Sequence, residues 1–317
     1  MQEQFDAEGR LRHLITLENF DRARLTSLLD KATAYLRPAG DLPAHENRFN
    51  GRTVANLFFE PSTRTRASFE LAAKRLGLHV LNLDVRMSSR SKGESILDTV
   101  YTLEAMGSDI FVLRDSEPGV PAFIAANVQS HVSVLSAGEA DVSHPTQGLL
   151  DILTIRQHKK CLEDVSVTMI GDIVHSRVAR SAYQALQILG AGKINLVAPP
   201  AFMPAAHHFA GAERFNEIEP ALRDADVVMA LRIQRERMGV ASIPDTSDYH
   251  KRFGLTAERL ALARPDAIVM HPGPMNRGVE IASDVADGPQ SVIRQQVRNG
   301  VAVRMAVMST VLETLHS

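Results

Sequence analysis

The chain has no tryptophan, a single cysteine and few aromatic residues of any kind, 5% in all. The aromatic poverty argues against a nucleic-acid surface built on base stacking. One cysteine, Cys161, excludes an intrachain disulfide and any thiolate metal cluster. It sits in the polar run His158-Lys159-Lys160-Cys161-Leu162-Glu163-Asp164, the setting of a loop residue rather than of a nucleophile. Net charge is only −2 and no long block of one sign occurs, so neither nucleic acid nor a membrane surface is expected as a partner. No apolar run approaches the roughly 18 residues of a membrane span, and the opening residues are polar and partly acidic. A cytoplasmic protein with no membrane segment is the expectation.

What is present is ample apolar material. The chain has 317 residues, 44% of them hydrophobic, enough for one large or two ordinary cores. Residues 1–15 read as an arm, with Leu11, Leu14 and Ile15 able to dock on the body. A helix is predicted from about Asn19 to Leu36. Short apolar strands and amphipathic helices then alternate. Strands are predicted at 53–59, 78–85, 109–114 and 132–136, and helices at 64–76, 94–106, 118–126 and 145–158. A second alternating set follows. Its strands are predicted at 165–171, 193–198, 226–231 and 267–271, and its helices at 176–189, 203–210 and 256–263, with a long last helix at 288–316. This pattern signals parallel sheets covered by helices. The expected fold is α/β: two doubly wound parallel-sheet domains with a cleft between them, joined by two interdomain helices. The expected domains are 1–144, with 288–317 packing back on it, and 145–287.

In such sheets ligands bind beyond the C-terminal strand ends. The polar residues fall there. Ser62-Thr63-Arg64-Thr65-Arg66 follow the first strand, Ser88 to Lys92 the second and Arg114 the third, and His144-Pro145-Thr146-Gln147 lie past the fourth. Arg177, then Arg232 and Gln234, then His271-Pro272-Gly273-Pro274 follow strands of the second set. The first of these stretches organises the rest. Pro61 blocks a helix before the turn, Ser62 and Thr63 suit a helix N-cap, and two arginines flank them. Free backbone N–H groups, hydroxyls, guanidinium groups and a positive helix end converge, which is a site for a phosphate dianion. A single Ser-Thr-Arg would read as a capped helix with a solvated arginine; the density of donors here reverses that.

Phe59-Glu60-Pro61-Ser62-Thr63-Arg64-Thr65-Arg66-Ala67-Ser68-Phe69 resembles the carbamoyl-phosphate signature of the aspartate and ornithine carbamoyltransferases. His144-Pro145-Thr146-Gln147, the Gly171-Asp172 to Arg177-Val178 segment, Arg232-Ile233-Gln234 and the His271 to Pro274 run resemble further family motifs, in the family's order, over roughly residues 15–310. The resemblance implies that Ser62, Thr63, Arg64, Thr65 and Arg114 hold carbamoyl phosphate. It implies that Thr65, Arg114 and His144 polarise the carbonyl oxygen, and that Gln147 and the carbonyls of Pro272 and Gly273, beside Pro274, orient the NH₂. A histidine just before a helix N-terminus is disfavoured as imidazolium and can donate from its neutral form. Arg177, Arg232 and Gln234 would hold L-aspartate. Ser88 and Lys92 match positions that reach a neighbouring subunit's site in aspartate members, Lys92 toward both substrates, which implies a homotrimer with shared active sites.

Ornithine members carry a Ser-Met-Gly loop and a His-Cys-Leu-Pro segment, and neither occurs here. Two arginines suit a dicarboxylate and repel an ornithine ammonium. The implied reaction is transfer of the carbamoyl group of carbamoyl phosphate to L-aspartate, in pyrimidine (UMP) synthesis, with no cofactor and no metal. Gly273 departs from the leucine of some members. Met275-Asn276-Arg277-Gly278 hints at members that associate with dihydroorotase-like subunits, and a higher assembly with those or with regulatory chains stays open. The stretch 235–254 reads as a mobile loop that closes on aspartate. Two alternatives stay open: a carbamoyltransferase with another acceptor such as ornithine, and an inactive scaffold paralogue.

Overall fold

The computed structural model describes residues 4–38, 40–83, 95–234 and 245–315. Two compact units emerge, Met1–Leu150 with Asn299–Ser317, and Asp151–Arg298. Each is built on one sheet, and every strand pair in both sheets is parallel.

In unit 1, α1 (Arg22–Ala34) starts at an Asp21 cap whose carboxylate accepts Arg24 N–H. The sheet comprises β1 (Thr53–Phe58), β2 (His79–Leu83), β3 (Ile110–Asp115) and β4 (Ser133–Glu139), in the order β2-β1-β3-β4. The helices α2 (Thr63–Arg75), α3 (Ile96–Ala105) and α4 (Val120–Asn127) connect them. Ala55, Leu57, Phe111, Leu113 and Val134 from the strands and Val100, Leu103 and Ile124 from the helices make one buried cluster. β1 and β3 are apolar along almost their whole length because helices cover both faces of a parallel sheet. β2 is an edge strand and more exposed. The N-terminal arm docks on β4: Leu14 N–H donates to Val134 O at 2.9 Å, and Ser136 N–H donates to Leu14 O at 2.8 Å.

The chain enters unit 2 within α5 (Pro145–His158) and returns within α11 (Ile293–Leu315). Unit 2 holds β5 (Ser166–Ile170), β6 (Lys193–Val197), β7 (Glu213–Phe215), β8 (Val227–Ala230) and β9 (Ile268–Met270), ordered β7-β6-β5-β8-β9. Its helices are α6 (Arg177–Leu189), α7 (Ile218–Leu222), α8 (Thr246–Phe253), α9 (Ala257–Leu260) and α10 (Ser283–Ala286).

Several expectations need correction. The helix expected at 203–210 is two short 3₁₀ turns, Pro200–Phe202 and Ala206–Phe209. Proline at 199, 200 and 204 withholds the N–H groups a longer helix needs. β7, α7 and α10 were not anticipated. The stretch 235–254 is not one loop, because Thr246–Phe253 is α8, with Tyr249 and Phe253 buried one turn apart. Residues 235–244 lie outside the described residues. The last helix begins at Ile293 rather than 288, since Gly288 to Ser291 form a turn that bridges to Val269.

Both sheets reverse direction once. In unit 1 the chain goes from β1 outward to β2, then crosses to β3 on the other side. In unit 2 it goes from β5 outward through β6 and β7, then crosses to β8. Those reversals leave crevices beyond the ends of β1 and β3, and of β5 and β8.

Candidate active site

In unit 1 the candidate residues leave the ends of three strands that are neighbours in the sheet, β1, β3 and β4. Ser62 is the N-cap of α2, extended at φ −158°, and its side chain makes no capping hydrogen bond. Its hydroxyl is therefore not committed to the helix. Thr63, Arg64 and Thr65 form the first turn, with Thr63 and Arg64 exposed and Ser62 and Thr65 half-buried. The first-turn N–H groups and the positive helix end lie at the same place.

Arg114 stands opposite Phe58 in the β1–β3 register, and Phe59 N–H donates to Arg114 O at 2.9 Å. The register with β4 slips at this point: Leu113 faces Ser136, but Asp115 faces Glu139. An irregularity of this kind re-aims a side chain. Arg114 Nε donates to Glu60 Oε2 at 3.1 Å, and Nη1 donates to Ala137 O at 3.2 Å. The side chains of Arg114 and Glu60 are only 14% and 18% exposed, so this pair is largely withdrawn from water. Glu60 thus aims the guanidinium, a role that the sequence motif alone did not reveal.

Past β4 the chain doubles back, and Glu139 N–H donates to Ser143 O at 2.9 Å. That turn delivers His144, buried, to the start of α5, where Pro145 takes the first helical position. Gln147 N–H donates to His144 O at 2.9 Å. The structure therefore brings Ser62 to Thr65, Arg114, His144 and Gln147 to the ends of β1, β3 and β4. Ser88 and Lys92 lie outside the described residues.

In unit 2 the organising group is a carboxylate. Asp172 follows β5 and is fully buried. Its Oδ1 accepts His175 Nδ1 at 2.8 Å and His175 N–H at 3.3 Å, and its Oδ2 accepts Gln234 N–H at 3.0 Å. One side chain thereby ties the loop after β5 to the loop after β8. Gly171 permits the approach: its φ is +140°, and a Cβ there would sit 2.3 Å from Leu231 O. Ser176 caps α6, its hydroxyl accepting Ala179 N–H at 3.1 Å, which sets the buried Arg177 at the first helical position. Arg232 Nη2 donates to Gln234 Oε1 at 3.2 Å. Arg177, Arg232 and Gln234 thus share the β5–β8 switch point. That combination of guanidinium groups and a helix N-terminus suits carboxylates.

The third element of unit 2 is the turn Pro272-Gly273-Pro274 after β9. Gly273 has φ +69°, and the Gly273–Pro274 bond is cis. Tyr249 is buried near Glu280 and Asp172, and burial first, then those two carboxylates, hold its phenol far above the ordinary range. Among the described residues, no group of three or more histidine, cysteine or acidic side chains is arranged to hold a metal ion. Cys161 is exposed, and its hydrogen bond to Glu163, then that to Asp164, pushes its thiol up, away from a nucleophile's range. No helix among the described residues is long and apolar enough to cross a membrane.

Comparison with known proteins agrees with this layout. Residues 12–157 match the family model described as aspartate/ornithine carbamoyltransferase, carbamoyl-P binding domain, and residues 163–311 match the Asp/Orn binding domain of the same family. The chain is similar to aspartate transcarbamoylase from Trypanosoma cruzi solved with carbamoyl aspartate and phosphate: 31% identity over 97% of this chain and 98% of that one, TM-score 0.84. It is similar to the same enzyme with carbamoyl phosphate and aspartate: 32% identity over 95% and 97%, TM-score 0.83. Ornithine carbamoyltransferase from Thermus thermophilus shares the fold at 24% identity, over 95% and 99%, TM-score 0.84. By both domain matches and by these likenesses, the chain belongs to the aspartate/ornithine carbamoyltransferase family.

Proposed function

We propose that the chain transfers the carbamoyl group of carbamoyl phosphate to the amine of L-aspartate, giving N-carbamoyl-L-aspartate and phosphate, as a step of pyrimidine (UMP) synthesis. One observation carries this reading. Each unit has its polar residues at the switch point of its sheet, and the two sets differ in chemistry. Unit 1 offers hydroxyls, a helix N-terminus and Arg114, which fit a phosphate; unit 2 offers Arg177, Arg232 and Gln234, which fit a dicarboxylate. Unit 1 is thus the carbamoyl-phosphate domain and unit 2 the aspartate domain. The descriptions of the two matching family models, a carbamoyl-P binding domain over residues 12–157 and an Asp/Orn binding domain over residues 163–311, support the same division.

Ser62, Thr63, Arg64, Thr65 and Arg114 hold the phosphate, joined by Ser88 and Lys92 of a neighbouring copy in a homotrimer. Thr65, Arg114 and His144 donate to the carbonyl oxygen as it gains charge, which lowers the barrier to the tetrahedral species. Gln147 and the carbonyls of Pro272 and Gly273 orient the NH₂. Arg177, Arg232, Gln234 and Lys92 place the aspartate. Its neutral amine attacks the carbonyl carbon, the bond from that carbon to the phosphate oxygen breaks, and the departing phosphate takes the amine proton. Holding two reactants in line supplies roughly 7–11 kcal/mol.

The test is carbamoyl transfer to L-aspartate and, in parallel, to L-ornithine, with the mass in solution recorded. Activity with aspartate alone in a trimer supports the reading. Ornithine activity overturns the roles of Arg177 and Arg232. Mixing His144→Ala and Lys92→Ala chains tests the shared site: two inactive parents that regain activity when mixed support it, and a mixture no better than its parents refutes it.

A further inference from the structure

Behind the Pro272–Pro274 turn lies a buried polar chain that the reaction scheme leaves unused. His271 and Glu280 are almost wholly buried. Gly273 N–H donates to His271 Nδ1 at 2.8 Å. A ring nitrogen that accepts carries no proton, so the imidazole is the Nε2–H tautomer. Its Nε2 donates to Glu280 Oε1 at 3.1 Å, and the same oxygen accepts Asn276 N–H at 2.6 Å. His271 N–H donates to Gln296 Oε1 at 3.1 Å, and Gln296 Nε2 donates to Asp151 Oδ1 at 2.6 Å. The turn is thus gripped at three backbone points, residues 271, 273 and 276.

The grip matters because of what it holds. Gly273 lies in the left-handed region and has the widest backbone freedom of any residue type. With no Cβ of its own to limit the turn, the peptide planes there take their direction from external hydrogen bonds. We propose that His271, fixed by Glu280 and Gln296, is a positioning residue that aims the Pro272 and Gly273 carbonyls at the carbamoyl NH₂. This rests on the carbamoyl-transfer reading above. The imidazole itself touches no substrate. It acts by denying the 272–273 peptides their alternative orientations.

The experiment compares wild type, His271→Leu and His271→Asn in the full chain. Steady-state kinetics are run for carbamoyl phosphate, and inorganic phosphate binding is measured by calorimetry. Misplacing a positioning group costs on the order of 100-fold in rate, so His271→Leu is expected to lose about 100-fold in kcat/KM for carbamoyl phosphate. Phosphate affinity, set in unit 1, stays within about twofold of wild type on the same argument. The asparagine carboxamide oxygen can replace Nδ1 as acceptor for Gly273 N–H, so His271→Asn should recover most of the loss.

A second pair keeps the inference testable if His271→Leu does not fold. Glu280→Gln keeps an acceptor oxygen for both N–H donors and should stay near wild type, whereas Glu280→Ala leaves them unsatisfied and should lose about tenfold or more in kcat/KM. Nitrogen-15 NMR of the His271 ring should show the Nε2–H tautomer, and an Nδ1–H tautomer overturns the proposal. Wild-type kcat/KM in both His271→Leu and Glu280→Ala overturns it too, as does a parallel loss of phosphate affinity. A wild-type chain that transfers no carbamoyl group overturns the function and this inference together; an active wild type with silent variants overturns only the inference.

Discussion

At the β1–β3 switch point most of the donors come from one helix turn; at the β5–β8 switch point they come from two separate segments. Unit 1 surrounds its crevice with hydroxyls, N–H groups and Arg64 from one helix turn, and with the Arg114 guanidinium held by Glu60. Unit 2 sets one arginine, Arg177, at the start of α6 and another, Arg232, in the loop after β8, and binds the two segments together through buried Asp172. The contrast follows the ligands each half would take. A tetrahedral dianion is compact and is met by many donors converging from one turn. A four-carbon dicarboxylate is extended and needs separate cationic arms whose spacing is fixed from behind. In unit 1 precision comes from the helix start, and in unit 2 from a buried carboxylate that joins two segments.

The strongest way to break this comparison is Arg114→Leu. It removes the donor proposed for the developing oxyanion and strands the largely buried Glu60, so kcat/KM should fall by about 10³, near the upper range for one such donor. A change confined to KM for aspartate, in kinetics with both substrates varied, would place Arg114 in the wrong half. Next is Arg177→Gln or Arg232→Gln. KM for aspartate should rise about 100-fold, some 2.7 kcal/mol, with KM for carbamoyl phosphate nearly unchanged. Equal effects on both would dissolve the division of labour.

Gly171→Ala probes the scaffold instead of the donors. Its Cβ would collide with Leu231 O, so the exits of β5 and β8 must part, at a cost of about 2 kcal/mol and a Tm lower by several degrees in a thermal scan. An unchanged Tm would show that the close approach is not needed.

The last expected effect appears only in acid, is absent at neutral pH and belongs to unit 1. His13 is buried, and its Nδ1 accepts Val134 N–H at 2.8 Å. Burial first, then Arg12, lowers it to about 3. The unfolded chain binds that proton near pH 6.5, so between there and about 3 the unfolded state holds one more proton. The His13 contribution to stability should fall by about 1.4 kcal/mol per pH unit as pH drops through that window, and stay constant above it. Urea midpoints from pH 7 to 5 should slope for wild type and flatten for His13→Asn. Identical slopes would remove His13 as the cause.

The sequence revealed elements with strong local signals. β1, its turn and α2 were legible from a short apolar run, Pro61, two capping residues and helical spacing in Phe69, Ala72 and Ala73. The start of α5 was legible at His144-Pro145. Most side chains of the candidate site came from motif order, and the switch points then gave that order a physical cause. What was hidden depends on distant partners or short elements. Glu60 meets Arg114 54 positions away, and Asp172 meets Gln234 62 away, so no local spacing marks either acid as an organiser. β7 has three residues and α7 five, too few for any period to show. In α8, Tyr249 and Phe253 are the only buried residues in a charged stretch, which reads as a loop until tertiary packing is known.

The two crossings between units have a consequence for how the molecule is made. Because they fall inside α5 and α11, unit 2 is a contiguous insertion and unit 1 is not. On the ribosome unit 2 emerges whole, while the first 150 residues still lack the final stretch of α11. That stretch is not trimming: Val307, Met308, Val311 and Leu312 are fully buried, Arg304 covers the Phe69 ring, and Glu313 pairs with Lys31 and Arg48. The segment that opens α2 is therefore the last to gain its core, and a chain cut short within α11 would carry a finished unit 2 and an unfinished unit 1.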